Sequence, residues 1–130
     1  MFLFSPWVDL RNHSATHRTN AATDSLLNTR LLDEAVLRYA LQRRRDDVRL
    51  SPLLASMAGL PPCLIVASAN EILLDDALVL RDKLQSAGIP VDYVQWAHAP
   101  HAFPVLARWL PEARAALERT ARFIRQHAAS

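Results

Sequence analysis

The chain is poor in cysteine and glycine, with one cysteine and two glycines among 130 residues. The lone Cys63 excludes an internal disulfide, which is compatible with a reducing compartment. Gly59 and Gly88 stand too far apart for a G-x-S-x-G nucleophile elbow or an HGG-type oxyanion loop. No apolar run reaches the ~20 residues of a membrane span, and the opening Met-Phe-Leu-Phe lacks the basic start of a signal peptide. We expect a soluble chain in the cytoplasm.

Charge is nearly balanced along the chain. Fifteen basic and thirteen acidic side chains leave a net charge of +2, and the basic run at 43–45 is followed at once by Asp46 and Asp47. Nucleic-acid binders concentrate positive charge on one face, so we expect no nucleic-acid partner. The 51% hydrophobic and 22% charged residues are typical of a folded globular chain. At this length one domain, or part of one, is expected.

Apolar patterning predicts strands that alternate with helices. The predicted order is a strand at 2–4, a helix at about 26–41, a strand at 63–67, a helix at 72–87, a strand at 91–96 and a helix at 111–127. Residues 11–24 are polar and lack periodicity, which is typical of an exposed loop. Because strands and helices alternate, the sequence predicts a partial α/β domain over 1–130, with parallel strands and flanking helices.

Two segments follow the ends of neighbouring predicted strands, where the chemistry of parallel sheets collects. The first contains Glu71, but Ser68-Ala69-Asn70-Glu71 is also a capping-box pattern, in which a glutamate only satisfies backbone amides. The second contains His98 and His101, and either could be an ordinary loop histidine. These two histidines could pair as metal ligands, but no acidic or cysteine side chain completes a recognisable ligand set, so no metal site is predicted.

Several motifs resemble the C-terminal portion of bacterial α/β-hydrolases of the hormone-sensitive-lipase type. The likeness covers nearly the whole chain but only the final third or so of the family's length. It implies an α/β-hydrolase fold and carboxylesterase or lipase activity on a carboxylic ester, with no cofactor. The motifs, in chain order, are Leu3-Phe4-Ser5-Pro6-Trp7-Val8-Asp9-Leu10, Leu50-Ser51-Pro52-Leu53, Gly59-Leu60-Pro61-Pro62, Glu71-Ile72-Leu73-Leu74-Asp75-Asp76 and Pro100-His101-Ala102-Phe103.

The resemblance implies catalytic roles for Glu71 and His101. In the family the triad runs serine, acid, histidine along the chain, with the acid after the penultimate strand and the histidine after the last. The acid is often an aspartate there, so Glu71 departs from the usual residue. The family's His-x-Phe pattern favours His101 over His98. Glu71 would hold the imidazole's Nδ1 hydrogen, so that Nε2 can accept the serine proton.

The missing nucleophile motif predicts a chain that is inactive alone. An upstream half would have to supply the serine and the oxyanion donors. The first strand would then lack an outer neighbour, which predicts self-association or a partner chain at that edge. The alternative is a non-enzymatic hydrolase remnant whose exposed edge recruits another protein, and the sequence leaves both readings open.

Overall fold

A three-stranded parallel sheet forms the centre of the computed structural model, which describes residues 1–41 and 43–128. Its strands are β1 (Phe2–Phe4), β2 (Cys63–Ser68) and β3 (Val91–Trp96), in the order β1-β2-β3. Phe4 lies opposite Val66, which in turn lies opposite Val94. Because all the strands run the same way, the segments that follow them emerge at one edge of the sheet. The α/β prediction is confirmed.

Helices connect and cover the strands. They are α1 (Thr16–Thr19), α2 (Thr29–Ala40), α3 (Leu74–Ser86) and α4 (Pro111–His127), with 3-10 turns at Pro52–Leu54 and Phe103–Leu106. Among the described residues, none of these helices is both long and apolar enough to cross a bilayer. Glu112 lies in the first turn of α4 and Arg125 in the last, where each charge complements the helix dipole.

Two helices are shorter than predicted, and one predicted loop is partly helical. α2 begins at Thr29 because the Asn28 side chain accepts a hydrogen bond from the backbone N–H of Leu31. α3 begins two residues later than expected, at Leu74. The prediction of an exposed loop at 11–24 was wrong, since that segment contains α1 and buries Thr16 and His17. Several of its polar side chains, among them Thr16, Asn20 and Asp24, form hydrogen bonds to the protein backbone.

The core lies on both faces of β2, whose six residues are all buried. Alternate residues of a strand point to opposite faces, so β2 packs on α3 with one set and on α4 with the other. The α3 side contains Cys63, Ile65, Ala67, Ala77, Leu80 and Leu84, and the α4 side contains Leu64, Val66, Phe103, Ala113, Ala116 and Phe123. Burial of each large apolar side chain contributes about 1.5–3 kcal/mol. Because helices pack on both faces of β2, the start of the segment that follows β2 is held in place.

Candidate active site

The segments after β2 and β3 bring Glu71 and His101 together. The Nδ1 atom of His101 lies 2.9 Å from Oε2 of Glu71. The pairing of β2 with β3 places the two segments side by side. A carboxylate can only accept at this contact, so in the neutral ring Nδ1 carries the proton and Nε2 is left as an acceptor. A general base in acyl transfer needs this tautomer.

Glu71 also satisfies a backbone group. Its side chain is 0% exposed, and its second oxygen, Oε1, accepts a hydrogen bond from the backbone N–H of Ser68 at 2.9 Å. The capping pattern noted in the sequence is therefore partly realised, although α3 itself begins only at Leu74. One carboxylate serves both the backbone and the imidazole, so the two interpretations of Glu71 are not exclusive.

Ser68 ties the two segments to each other. Its hydroxyl donates a hydrogen bond to the carbonyl oxygen of Ala99 at 2.6 Å, and the next residue, Ala69, donates its N–H to the carbonyl of Trp96 at 2.8 Å. Ser68 and Ser51 are both fully buried, and the Ser51 hydroxyl donates to the carbonyl of Arg45. Neither hydroxyl is presented as a nucleophile toward a substrate.

The loop that carries His101 is fixed by the two residues that follow His101. The following residue, Ala102, has a left-handed backbone with φ of +51°, and its N–H donates to the hydroxyl oxygen of Ser5 at 2.9 Å. Phe103 is fully buried, and its ring centroid lies 5.1 Å from that of Trp96. The His101 side chain keeps 20% of its surface exposed. The ring is therefore oriented by the protein and still accessible.

Two other histidines, His98 and His17, lie outside this contact. His98 is exposed on the same loop. His17 is buried, and burial lowers the pKa of its imidazole. Across residues 1–41 and 43–128 there is no cluster of three or more histidine, cysteine or acidic side chains that could hold a metal ion.

Sequence reasoning missed the contribution of residues 16–24. Side chains of this segment form hydrogen bonds with the backbone around Glu71, among them Asn20 and Asp24. The only signal was a high density of Asn, Thr and Asp, which is equally typical of a solvated loop. Nothing in a single sequence indicates which distant backbone such side chains contact.

Comparison with known proteins identifies the family to which this fold belongs. A family described by its alpha/beta hydrolase fold matches residues 1–105. The chain belongs to the α/β-hydrolase family. The sequence of this chain is 36% identical to an acetyl-hydrolase of Streptomyces hygroscopicus over 121 residues, which are 93% of this chain and 40% of that protein. It is 34% identical to an esterase of Acinetobacter venetianus, covering 95% of this chain and 41% of the esterase.

A solved structure shows which part of the fold this chain forms. It superimposes with a TM-score of 0.94 and 32% identity on an esterase from the bacterial hormone-sensitive lipase family, covering 97% of this chain and 42% of that esterase. The resemblance to the C-terminal portion of such enzymes is confirmed. The chain spans about 40% of the length of the curated relatives it matches.

Proposed function

We propose that this chain supplies the acid and the histidine of a serine carboxylic-ester hydrolase. The observation that carries the proposal is the 2.9 Å contact between Nδ1 of His101 and the buried carboxylate of Glu71. Nε2 of His101 would accept the proton of a serine hydroxyl as the serine oxygen attacks the ester carbonyl. The protonated ring would then give that proton to the departing alkoxide, while Glu71 stabilises the imidazolium. Water would repeat the cycle on the acyl-enzyme.

The nucleophile in this proposal lies outside the 130 residues. The sequence contains no G-x-S-x-G elbow, and the hydroxyls of Ser51 and Ser68 already donate to carbonyl groups. An upstream portion would supply the serine and the oxyanion donors, whose electrostatic contribution usually dominates acyl transfer. The chain alone would then show no efficient turnover. A short-chain carboxylic ester is the substrate class we propose for the completed site.

The outer edge of β1 is the surface that we propose for a strand from that portion or from another chain. Within residues 1–41 and 43–128, β1 pairs on one side only, with β2. Met1 and Phe2 at this edge are 40% and 46% exposed. An unpaired strand with apolar side chains favours pairing with another strand.

A cytoplasmic location also stays a prediction, supported by the lone buried thiol of Cys63.

A chimera tests the proposed chemistry. The upstream portion of the Streptomyces hygroscopicus acetyl-hydrolase, joined to this chain, should hydrolyse p-nitrophenyl butyrate, and this chain alone should not. In the chimera, His101→Ala should lower kcat by about 10³-fold or more. The matched control is His98→Ala, which removes an exposed imidazole from the same loop and should change kcat by less than about twofold.

Each other outcome has a distinct meaning. Full activity of the His101→Ala chimera would contradict the proposed role of His101. Turnover by the chain alone that is lost on His101→Ala would place the nucleophile within these 130 residues. A chimera that folds with the mass of a monomer, yet hydrolyses no ester, would favour the non-enzymatic remnant.

A further inference from the structure

The turn that carries Glu71 has a backbone that regular secondary structure does not stabilise. Residues 69–72 lie between the last residue of β2, Ser68, and the first of α3, Leu74. Most backbone N–H and C=O groups in a buried turn need partners, because an unpaired group costs about as much as a lost hydrogen bond. The partners of this turn therefore decide where the Glu71 carboxylate is held.

One amide side chain bridges the two ends of this turn. Nδ2 of Asn20 donates hydrogen bonds to the carbonyl oxygens of Ala69 and Glu71, both at 2.9 Å. A side-chain amide has two N–H donors on one planar group, so both bonds can form at once. Asn20 thereby fixes the spacing and direction of the two carbonyls that flank Asn70.

The neighbours of Asn20 complete the set of partners. We call residues 16–24 the strap, since its side chains bond to the backbone of every residue from 69 to 72. Besides the two bonds of Asn20, the Thr23 hydroxyl shares its one proton between the carbonyls of Asn70 and Asn20, both at 3.1 Å. Thr16 donates to the carbonyl of Ile72 at 3.0 Å, and Asp24 accepts from the N–H of Ile72 at 2.9 Å. The residues joined by the Asn20, Asp24 and Thr16 contacts are 48 or more positions apart in the sequence.

The strap is anchored to α3 at one end and is closed by a local turn at the other. At one end, the N–H of Thr16 donates to the Asp75 carboxylate at 3.0 Å, and the N–H of Asp75 donates to the Thr16 hydroxyl at 3.1 Å. At the other end, Oδ1 of Asp24 accepts from the N–H groups of Leu26 and Leu27, both at 2.9 Å. Because the strap is held in place, its hydrogen bonds also hold the turn in place.

We propose that Asn20 is a positioning residue that holds Glu71 in register with His101. The inference rests on the proposed function, in which Glu71 is the acid of the triad. A glutamate has one more rotatable bond than the aspartate common at this position in the family, so an error in its backbone direction is magnified at the carboxylate. A displacement of about 1 Å would lengthen the 2.9 Å contact with His101 beyond hydrogen-bond range.

The test is the tautomer of the His101 ring, measured by ¹⁵N NMR on the chain at a pH where the ring is neutral. The unaltered chain should show mainly the Nδ1–H form. Asn20→Ala should lower the ratio of Nδ1–H to Nε2–H by at least about fivefold, because the carboxylate no longer stays against Nδ1. Thr23→Val, which removes a single donor, should lower the ratio by about twofold in the same direction.

Asn28→Ala is the matched control. Asn28 accepts one hydrogen bond at the start of α2 and makes none to the turn, so the ratio should not change although the chain loses comparable stability. A ratio unchanged in both Asn20→Ala and Thr23→Val would overturn the inference. If Asn20→Ala fails to fold, Thr23→Val decides. A mainly Nε2–H ring in the unaltered chain would overturn the proposed pair of Glu71 and His101, and the inference with it.

Discussion

The turn after β2 and the loop after β3 carry the two halves of the candidate site, but they are held in different ways. The turn is polar, its carboxylate is 0% exposed, and the strap bonds to its backbone. The loop is held by the buried ring of Phe103, by the contact between Ala102 and Ser5, and by the hydrogen bond from the Ser68 hydroxyl to Ala99. His101 keeps 20% of its surface exposed. A fixed acid beside an accessible imidazole suits a pair in which only the imidazole meets other molecules.

The largest expected loss of stability follows from removal of the Phe103 ring, which anchors the loop after β3. Phe103→Ala would leave a cavity between β2 and α4, and should lower the free energy of unfolding by about 4 kcal/mol in urea denaturation. Val105→Ala is the control, since Val105 lies in the same 3-10 turn but is 71% exposed. It should cost less than about 0.5 kcal/mol. Equal losses would show that the loop does not depend on its aromatic anchor.

The next effect concerns a buried carboxyl just beyond the turn. Asp76 is 3% exposed, and Oδ2 of its carboxyl accepts the N–H groups of Val8 and Asp9. Burial raises its pKa from 3.8 to about 6. Between these values the folded chain holds a proton that the unfolded chain has lost, so Asp76 makes stability fall as pH rises through that window. The expected loss is about 3 kcal/mol.

Asp76→Asn should remove this dependence, because the amide oxygen still accepts from the backbone but does not titrate. The measurement is the free energy of unfolding of both chains from pH 4 to pH 6. The advantage of the variant should grow by about 2 kcal/mol over this range, the larger part of the total of about 3 kcal/mol. Burial lowers the pKa of His17, which makes stability rise with pH. This trend is common to both chains and cancels in the difference. Parallel curves for the two chains would contradict the assignment.

The smallest effect concerns the backbone next to His101. Ala102 has a φ of +51°, which costs an L-residue about 1 kcal/mol and costs glycine little. Ala102→Gly should therefore raise the free energy of unfolding by up to about 0.5 kcal/mol, after the added entropy of the unfolded glycine. Ala107→Gly, at a right-handed position just after the same 3-10 turn, should lower it by about 0.5–1 kcal/mol. Thermal unfolding of the two variants should show Tm shifts of opposite sign.

The elements of the fold could be predicted because their signals are local. Cys63 to Ala67 is apolar without alternation since both faces of β2 are covered. The boundary of α2 was harder, because Leu26 and Leu27 extend the apolar pattern while Asp24 holds their backbone in a turn. Side-chain bonds of this kind override periodicity.

The site could be predicted only in part, for the same physical reason. The position of Glu71 after one strand and of His101 after the next follows from the order of elements and from the family resemblance. Whether the carboxylate caps a turn or meets the imidazole depends on the register of β2 against β3, and here it does both. The bonds from Asn20 join groups 49 and 51 positions apart, and no periodicity in the sequence encodes them.

The central claim is that Glu71 sets the tautomer of His101, and Glu71→Gln tests it most directly. Glutamine keeps an oxygen for the N–H of Ser68 but can present its NH₂ group to Nδ1. ¹⁵N NMR of the neutral His101 ring should find the Nδ1–H form in the unaltered chain and the Nε2–H form in the variant. The same tautomer in both chains would contradict the account.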